Sequence, residues 1–166
     1  MPSSGVGGEM IKQRKNMWGA AGIIGGTLAA ALVGGIASRP GQWYRDLKKP
    51  PGTPPNAVFG PVWTVLYIAM AYAGVRLVSA PASINRTRAL QLWWAQLFLN
   101  AAWSPVFFAL HKPMVGMLII GALVPTIAAT IVQARKVDKI SSGLLFPYLI
   151  WTCYAAYLNA GILASN

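Results

Sequence analysis

The candidate ligand-contacting residues of this sequence are three tryptophans, Trp63, Trp103 and Trp151. Each lies in a row of aromatic and polar residues spaced three or four positions apart, which places the members of a row on one face of a helix. Aromatic faces in a cavity stack on flat hydrophobic molecules, and a few polar groups orient them, so the rows predict a pocket for such a ligand. The rows are Trp63 and Tyr67; Gln96, Asn100, Trp103 and Phe107; and Tyr148, Trp151, Ala155, Leu158 and Asn159.

The same rows are also typical of plain helix packing. In a membrane bundle aromatic side chains fill the core, and Asn or Gln side chains bond one helix to another. An amide inside a membrane is costly when it has no partner, so Gln96, Asn100 and Asn159 need either another helix or a ligand. Three such rows in one small chain favour the cavity, but the residues alone leave both interpretations open.

Other kinds of active site have little material. The chain has three acidic residues (Glu9, Asp46 and Asp138), one histidine (His111) and one cysteine (Cys153). A disulfide framework and a cysteine-based zinc site are excluded. We therefore expect no metal site and no required cofactor, and the residues by themselves do not indicate an enzyme.

The elements that position the rows are long apolar segments. Of 166 residues 55% are hydrophobic. The charged fraction is 10%, far below the roughly 25% that is usual in soluble domains. A helix needs about 20 apolar residues to cross about 30 Å of hydrocarbon. The sequence therefore predicts an all-α integral membrane bundle over residues 17–166, after a polar basic N-terminal tail at 1–16. Its five transmembrane helices are expected near 17–38, 57–79, 89–110, 114–134 and 142–163.

The net charge of +11 follows this topology. With five antiparallel spans, nine of the 14 Lys and Arg residues fall on the same side of the membrane as the N-terminus, and five fall on the opposite side. The positive-inside rule then places the N-terminus inside and the C-terminus outside. The cations are thus accounted for by orientation, and no nucleic-acid partner is predicted.

The loop between the first two spans is rich in proline, with five between Arg45 and Pro61. Such a stiff segment could fold over one mouth of the bundle as a lid. Pro-rich loops also serve as spacers, and composition does not separate the two roles.

Long blocks of the sequence resemble one family. FGPVWTVLY, QLFLNAAWSPVFF and FPYLIWTCYAAYLN, preceded by WY and PP pairs, are similar to the translocator protein family from about Trp43 to Asn159. This family is also called the tryptophan-rich sensory protein or peripheral benzodiazepine receptor family (TspO/MBR). The resemblance implies a five-helix transmembrane bundle that often forms a homodimer.

The resemblance also implies ligands and a pocket. The expected ligands are porphyrins such as protoporphyrin IX and haem, sterols, and benzodiazepine-type drugs. A C-terminal sterol motif of animal members is missing here, because no Lys or Arg follows Lys139. Trp63 and Trp151 match two tryptophans associated in bacterial members with light-dependent porphyrin breakdown. The positions that match the family pocket are Trp63, Asn100, Trp103, Trp151, Ala155 and Leu158, with Pro54 and Pro55 in the covering loop.

Three functions follow as hypotheses. The first is a membrane receptor or carrier for flat hydrophobic ligands, with a role in tetrapyrrole homeostasis or stress signalling. The second is porphyrin degradation that needs light and oxygen and uses Trp63 and Trp151. The third is a dimeric structural or signalling partner without its own ligand. The membrane implied is a bacterial envelope membrane or, in a eukaryote, the mitochondrial outer membrane.

Overall fold

The computed structural model describes residues 4–37 and 41–166, without the side chains at 4–7, 9, 11, 12 and 15. Arg39, one of the loop cations, lies outside these residues. Every regular element within them is helical, which confirms the all-α class. The helices are α1 (Ser4–Ala37), the short α2 (Gln42–Asp46), α3 (Asn56–Ser79), α4 (Ile84–Ser104), α5 (Pro113–Arg135) and α6 (Lys139–Ser165).

Helix caps explain where the structure departs from the predicted boundaries. Helix α4 begins at Ile84 rather than 89, because the Ser83 hydroxyl accepts a hydrogen bond from the Arg86 backbone N–H (3.1 Å). Helix α6 begins at Lys139 rather than 142, since Asp138 accepts from the Ser141 N–H (2.9 Å). These first turns carry cations, so they do not belong to the charge-free runs from which the spans are predicted.

Two further helical segments were not predicted. Helix α1 starts at Ser4, so the polar tail expected at 1–16 is helical from that residue onward. Its Met, Lys, Gln and Arg residues are good helix formers and extend the membrane-length segment without a break. The short helix α2 lies between α1 and the Pro-rich loop, and its Tyr44 is buried.

The C-terminal end of α4 changes its winding at a proline. Residues Pro105–Ala109 form a π-helical turn, closed by a hydrogen bond from the Leu110 N–H to the Pro105 carbonyl (2.9 Å). Such turns occur mostly within longer helices and frequently at functional sites. Here the turn buries Phe107 and stacks it on Trp103, with ring centroids 5.5 Å apart.

The five long helices form a closed bundle. Helix α1 packs against α3 and α4, α3 packs against α6, and α5 lies between α4 and α6. The core has three clusters along the bundle. They are centred on Ile23, Leu77 and Trp93; on Met70, Ile127 and Tyr148; and on Tyr44, Trp103 and Phe107.

The bundle is apolar outside and partly polar inside. Exposed side chains include Leu32, Val65 and Phe98, whereas Gln96 and Asn159 are buried. Of the described helices, three are long and apolar enough to cross a membrane, namely Asn16–Ala37 of α1, α3 and α5. Helices α4 and α6 carry many of the buried polar residues, among them Gln96 and Asn159.

An ion pair joins α3 to the turn before α6. The Arg76 guanidinium donates to both Asp138 carboxylate oxygens (2.7 and 3.0 Å), and the Ser141 hydroxyl donates to one of them (2.6 Å). These hydrogen bonds, first of all that from Arg76, hold the pKa of the Asp138 carboxyl far below its ordinary value. The carboxylate therefore stays ionised at any physiological pH, and the stability it contributes is lost only on strong acidification.

Candidate ligand site

Two cavities share a wall formed by the start of α3. The larger, of about 530 Å³, lies between α1 and α3, and the smaller, of about 50 Å³, lies between α3, α4 and α6. Asn56, Phe59 and Trp63 line both. The larger is also lined mainly by Thr27, Leu28, Ala31, Gly34, Thr64, Tyr67, Ile68 and Ser104, and the smaller by Tyr44, Trp103, Phe108, Trp151, Tyr154, Ala155 and Leu158.

Trp63 stands at the boundary of the two cavities. Its ring lies 5.7 Å from Tyr67 and meets the edge of Tyr148 at 6.2 Å, centroid to centroid. Tyr148 is fully buried and backs the indole from the core side. A flat molecule in the larger cavity would therefore meet one side of a supported aromatic ring.

Two tryptophans that line the smaller cavity have buried hydrogen-bond donors without acceptors in the described part of the chain. The indole N–H groups of Trp103 and Trp151 are both buried, and neither finds a partner among the described residues. A buried donor left without an acceptor costs about 1–3 kcal/mol. Phe107 stacks on Trp103, and Phe59 meets the edge of Trp151 at 5.9 Å, so both indoles are held in place while their N–H groups stay unused.

The two polar residues of the α4 row, Asn100 and Gln96, differ in their hydrogen bonding. The Tyr67 hydroxyl donates to the Asn100 side-chain oxygen (2.7 Å), which links α3 to α4 beside the larger cavity. Gln96, one turn further from the cavities, is fully buried, and neither atom of its amide has a partner among the described residues. Neither Asn100 nor Gln96 lines either cavity.

Asn159 makes a structural contact with the first turn of α5. In the amide orientation that satisfies both groups, its oxygen accepts from the Met117 N–H (2.8 Å) and its nitrogen donates to the Pro113 carbonyl (3.2 Å). The structure therefore gives Asn159 a partner helix rather than a place at a cavity wall. Phe107 and Tyr148 are likewise buried behind the wall, each against a tryptophan that lines it.

The Pro-rich loop, residues 47–55, is pinned to α6 by side chains of that helix. The Tyr154 hydroxyl donates to the Gly52 carbonyl (2.6 Å), and the Tyr157 hydroxyl donates to the Pro51 carbonyl (3.0 Å). The Asn166 amide bonds both the N–H and the C=O of Lys48, each at 3.0 Å. Since Tyr154 also lines the smaller cavity, the loop and the cavity wall share a residue.

Two glycines allow this close seating of the Pro-rich loop. Gly52 has a φ of +83° in a turn closed by a hydrogen bond from the Thr53 N–H to the Pro50 carbonyl (3.3 Å). A Cβ on Gly161 of α6 would lie 2.6 Å from Pro50. Pro54 and Pro55, the predicted lid residues, line neither cavity, and Pro55 precedes α3 as its N-cap.

Several cavity residues escaped the sequence analysis. Phe59 precedes Trp63 by four positions and Tyr154 follows Trp151 by three, so helical spacing could have identified both. Tyr44 belongs to the WY pair of the family resemblance but to none of the three rows. The α1 wall gave no such signal, because the Gly- and Ala-rich face of α1 has no aromatic or polar row. Among the described residues, no group of three His, Cys, Asp or Glu side chains comes together as a metal site.

The pattern of the TspO/MBR family matches residues 22–164 of the chain. A similar protein, CrtK of Rhodobacter capsulatus, is 40% identical over 139 residues, which are 82% of this chain and 86% of that protein. The chain belongs to the TspO/MBR family. Tryptophan-rich protein TspO of Chlorobaculum tepidum is 37% identical over 86% of the chain and 92% of its own length, and translocator protein of Ovis aries is 35% identical over 81% and 79%.

Membership confirms the resemblance drawn from the three sequence blocks. The stretch that matches the TspO/MBR family contains every residue that lines the two cavities. Together with the three apolar helices, it identifies the chain as a multi-pass membrane protein.

Proposed function

We propose that this chain is a five-span membrane receptor or carrier that binds a flat hydrophobic molecule of the tetrapyrrole class. In this proposal α4 and α6 cross the bilayer together with α1, α3 and α5. Their buried polar residues face the bundle, where helix partners and ligand satisfy them, and their outer faces are apolar, as at Phe98 and Ile150.

The larger cavity supports this ligand class by its size and lining. Its volume of about 530 Å³ lies within the range of small-molecule pockets. The walls are mostly aliphatic, with hydroxyls from Thr27, Thr64 and Tyr67 and an aromatic face from Trp63. Such a wall suits an apolar plane that carries few polar substituents.

The unused indole donors define the ligand further and carry the proposal. Trp103 and Trp151 both line the smaller cavity, and each has a buried N–H group without an acceptor among the described residues. This cavity is too small for a tetrapyrrole but has room for one substituent. A carbonyl or carboxylate of a ligand that lies beyond Trp63 could accept from both. Protoporphyrin IX, a flat ring with carboxylate side chains, has this combination.

Titration with protoporphyrin IX tests the proposal, followed by the absorption of the porphyrin so that loss of a tryptophan does not alter the signal. Trp103→Phe and Trp151→Phe keep an aromatic ring and remove one donor. Each should weaken binding about tenfold, the equivalent of one hydrogen bond. Trp18→Phe, at an exposed site on α1, is the matched control and should bind as the wild type does. Absence of binding, or equal affinity in all four proteins, would reject the proposal.

Degradation of the bound pigment is a second candidate, because Trp63 and Trp151 both line the smaller cavity. Indole is readily oxidised, so Trp63 beside the ring and Trp151 beside its substituent could take part in the breakdown of an illuminated porphyrin by oxygen. With light and oxygen the wild type should then bleach protoporphyrin IX faster than Trp63→Phe/Trp151→Phe at equal occupancy. Equal bleaching rates would leave binding as the function.

A further inference from the structure

The end of the bundle opposite the Pro-rich loop has a surplus of cations. Among the described side chains, Asp138 is the one acid at this end, and Arg76 and Ser141 already occupy its oxygens. The remaining cations have no carboxylate partner in the described part of the chain. Five of them lie on α4, α5, α6 and the turn between α5 and α6, and we call these five the basic end surface: Arg86, Arg88, Arg135, Lys136 and Lys139.

Side-chain contacts bring these cations together. The Gln133 side-chain nitrogen donates to the Asn85 side-chain oxygen (2.9 Å), which holds the last turn of α5 against the first turn of α4. Arg86 and Arg88 come one and three positions after Asn85, and Arg135 and Lys136 come two and three positions after Gln133. Because only residues 136–138 separate α5 from α6, Lys139 lies at the same end.

Most of this positive charge is available to a partner. Arg88, Arg135, Lys136 and Lys139 are exposed. Arg86 is half-buried and donates one N–H to the Val78 carbonyl (2.6 Å), while its Nε–H has no acceptor among the described residues. Like charges gathered at one end of the bundle repel one another, so anions beside this surface should stabilise it.

One cation at the Pro-rich end, Lys49, is engaged within the protein. It donates to the backbone carbonyls of Arg45 and Leu47 (3.0 and 3.1 Å) and lies 4.9 Å from the centre of the Tyr44 ring. Lys48 and Lys112 are exposed, but this end also has an exposed acid, Asp46. The basic end surface therefore has the larger net positive charge.

Exposed apolar residues beside the cations indicate a lipid rather than a free anion. Val132 precedes Lys136 by one turn at the C-terminal end of α5, and Ile140 follows Lys139 at the start of α6; both apolar side chains are exposed and lie on the bundle side of the cation. Each pair offers apolar surface next to a cation at the end of an apolar helix. A phospholipid matches this arrangement, with acyl chains beside the valine and isoleucine and a phosphate at the level of the cations.

We propose that the basic end surface binds the headgroups of anionic phospholipids. The proposal rests on the membrane arrangement described above but does not depend on the cavity ligand, so loss of porphyrin binding would leave it intact. Juxtamembrane cations attract anionic leaflets, and this attraction falls with ionic strength. The expected consequence is a shell of bound lipid enriched in anionic species at this end.

The test measures lipid selectivity for the full chain in phosphatidylcholine vesicles that contain traces of spin-labelled phosphatidylglycerol or phosphatidylcholine. The association constant of the anionic lipid relative to the neutral one should be about tenfold at low salt and should approach one at high salt. Arg135→Gln/Lys136→Gln should reduce the ratio to about twofold. Lys48→Gln/Lys112→Gln removes the same charge from exposed residues at the other end and should leave the ratio unchanged.

Each other outcome has a definite meaning. Equal association of the two lipids with the wild type would overturn the proposal. Equal losses in the two double variants would also overturn it, because the net charge rather than this surface would then be responsible. If inorganic phosphate stabilises the detergent-solubilised protein against heat as well as phosphatidylglycerol does, the site is a general anion site and not a lipid surface.

Discussion

Replacing Trp93 with alanine is expected to lower the free energy of unfolding by about 3 kcal/mol, a larger loss than any exposed tryptophan would cause. Trp93 is fully buried on α4 and packs with Ile23 of α1 and Leu77 of α3. Its indole N–H donates to the Met70 carbonyl (3.1 Å). One side chain therefore holds three helices together.

The size of this effect follows from what packing contributes inside a membrane. An unfolded helix in the bilayer keeps its apolar side chains in an apolar medium, so transfer from water contributes little. The empty volume left by the indole remains, and loss of contacts around a cavity accounts for most of the cost. We therefore take the lower end of the range known for Trp→Ala.

Thermal unfolding in detergent measures this prediction. Trp93→Ala should lower the Tm by roughly 6–12 °C. Trp93→Phe keeps a ring but loses the hydrogen bond, and should cost about 1 kcal/mol. Trp18→Ala, at a position 72% exposed, is the matched control and should have little effect. A Trp93→Ala protein as stable as this control would show that the three helices do not depend on the indole.

The population of the open Pro-rich loop, relative to the closed loop, should rise about 30-fold in Tyr154→Phe/Tyr157→Phe. Each change removes one hydrogen bond to a loop carbonyl, at 2.6 and 3.0 Å. At about 1 kcal/mol for each bond, two losses shift the equilibrium between closed and open loop by this factor. Both rings remain, so the wall of the smaller cavity should keep its shape.

The consequence is a change in rate more than in affinity. The Pro-rich loop runs from α2, whose Tyr44 lines the smaller cavity, to Asn56, which lines both cavities. If this loop controls entry, protoporphyrin IX should associate and dissociate faster in the double variant, with a similar Kd. Stopped-flow measurements give both rates, and hydrogen exchange at the Lys48 and Thr53 amides reports opening independently.

Tyr72→Phe is the matched control, because Tyr72 is exposed and lies toward the far end of α3. It should change neither the exchange rates nor the ligand rates. Faster amide exchange with unchanged ligand rates in the double variant would show that the loop opens without acting as a gate. Unchanged amide exchange would show that the two tyrosines do not hold the loop.

Local features of the sequence were sufficient to predict most of the helices. Charge-free segments of membrane length correspond to α1, α3, α4, α5 and α6, since such segments depend only on neighbouring residues. The errors lie at helix starts, as at Ile84 and Lys139, where a capping side chain allows cations into the first turn. The short helix α2 has no periodic signal, because five residues are too few to show one.

The family and the three rows of aromatic and polar residues could also be predicted from the residues alone, because spacing along one helix sets which residues share a face. Which rows line the same cavity depends on how each helix is rotated against its neighbours, and this rotation is visible in the folded bundle and not in the spacing. The bundle brings Trp63, Trp103 and Trp151 to one small cavity and turns Asn159 toward α5. It also adds α1 as the second wall of the larger cavity, since a face rich in Gly and Ala forms a cavity wall only when another helix lies opposite it.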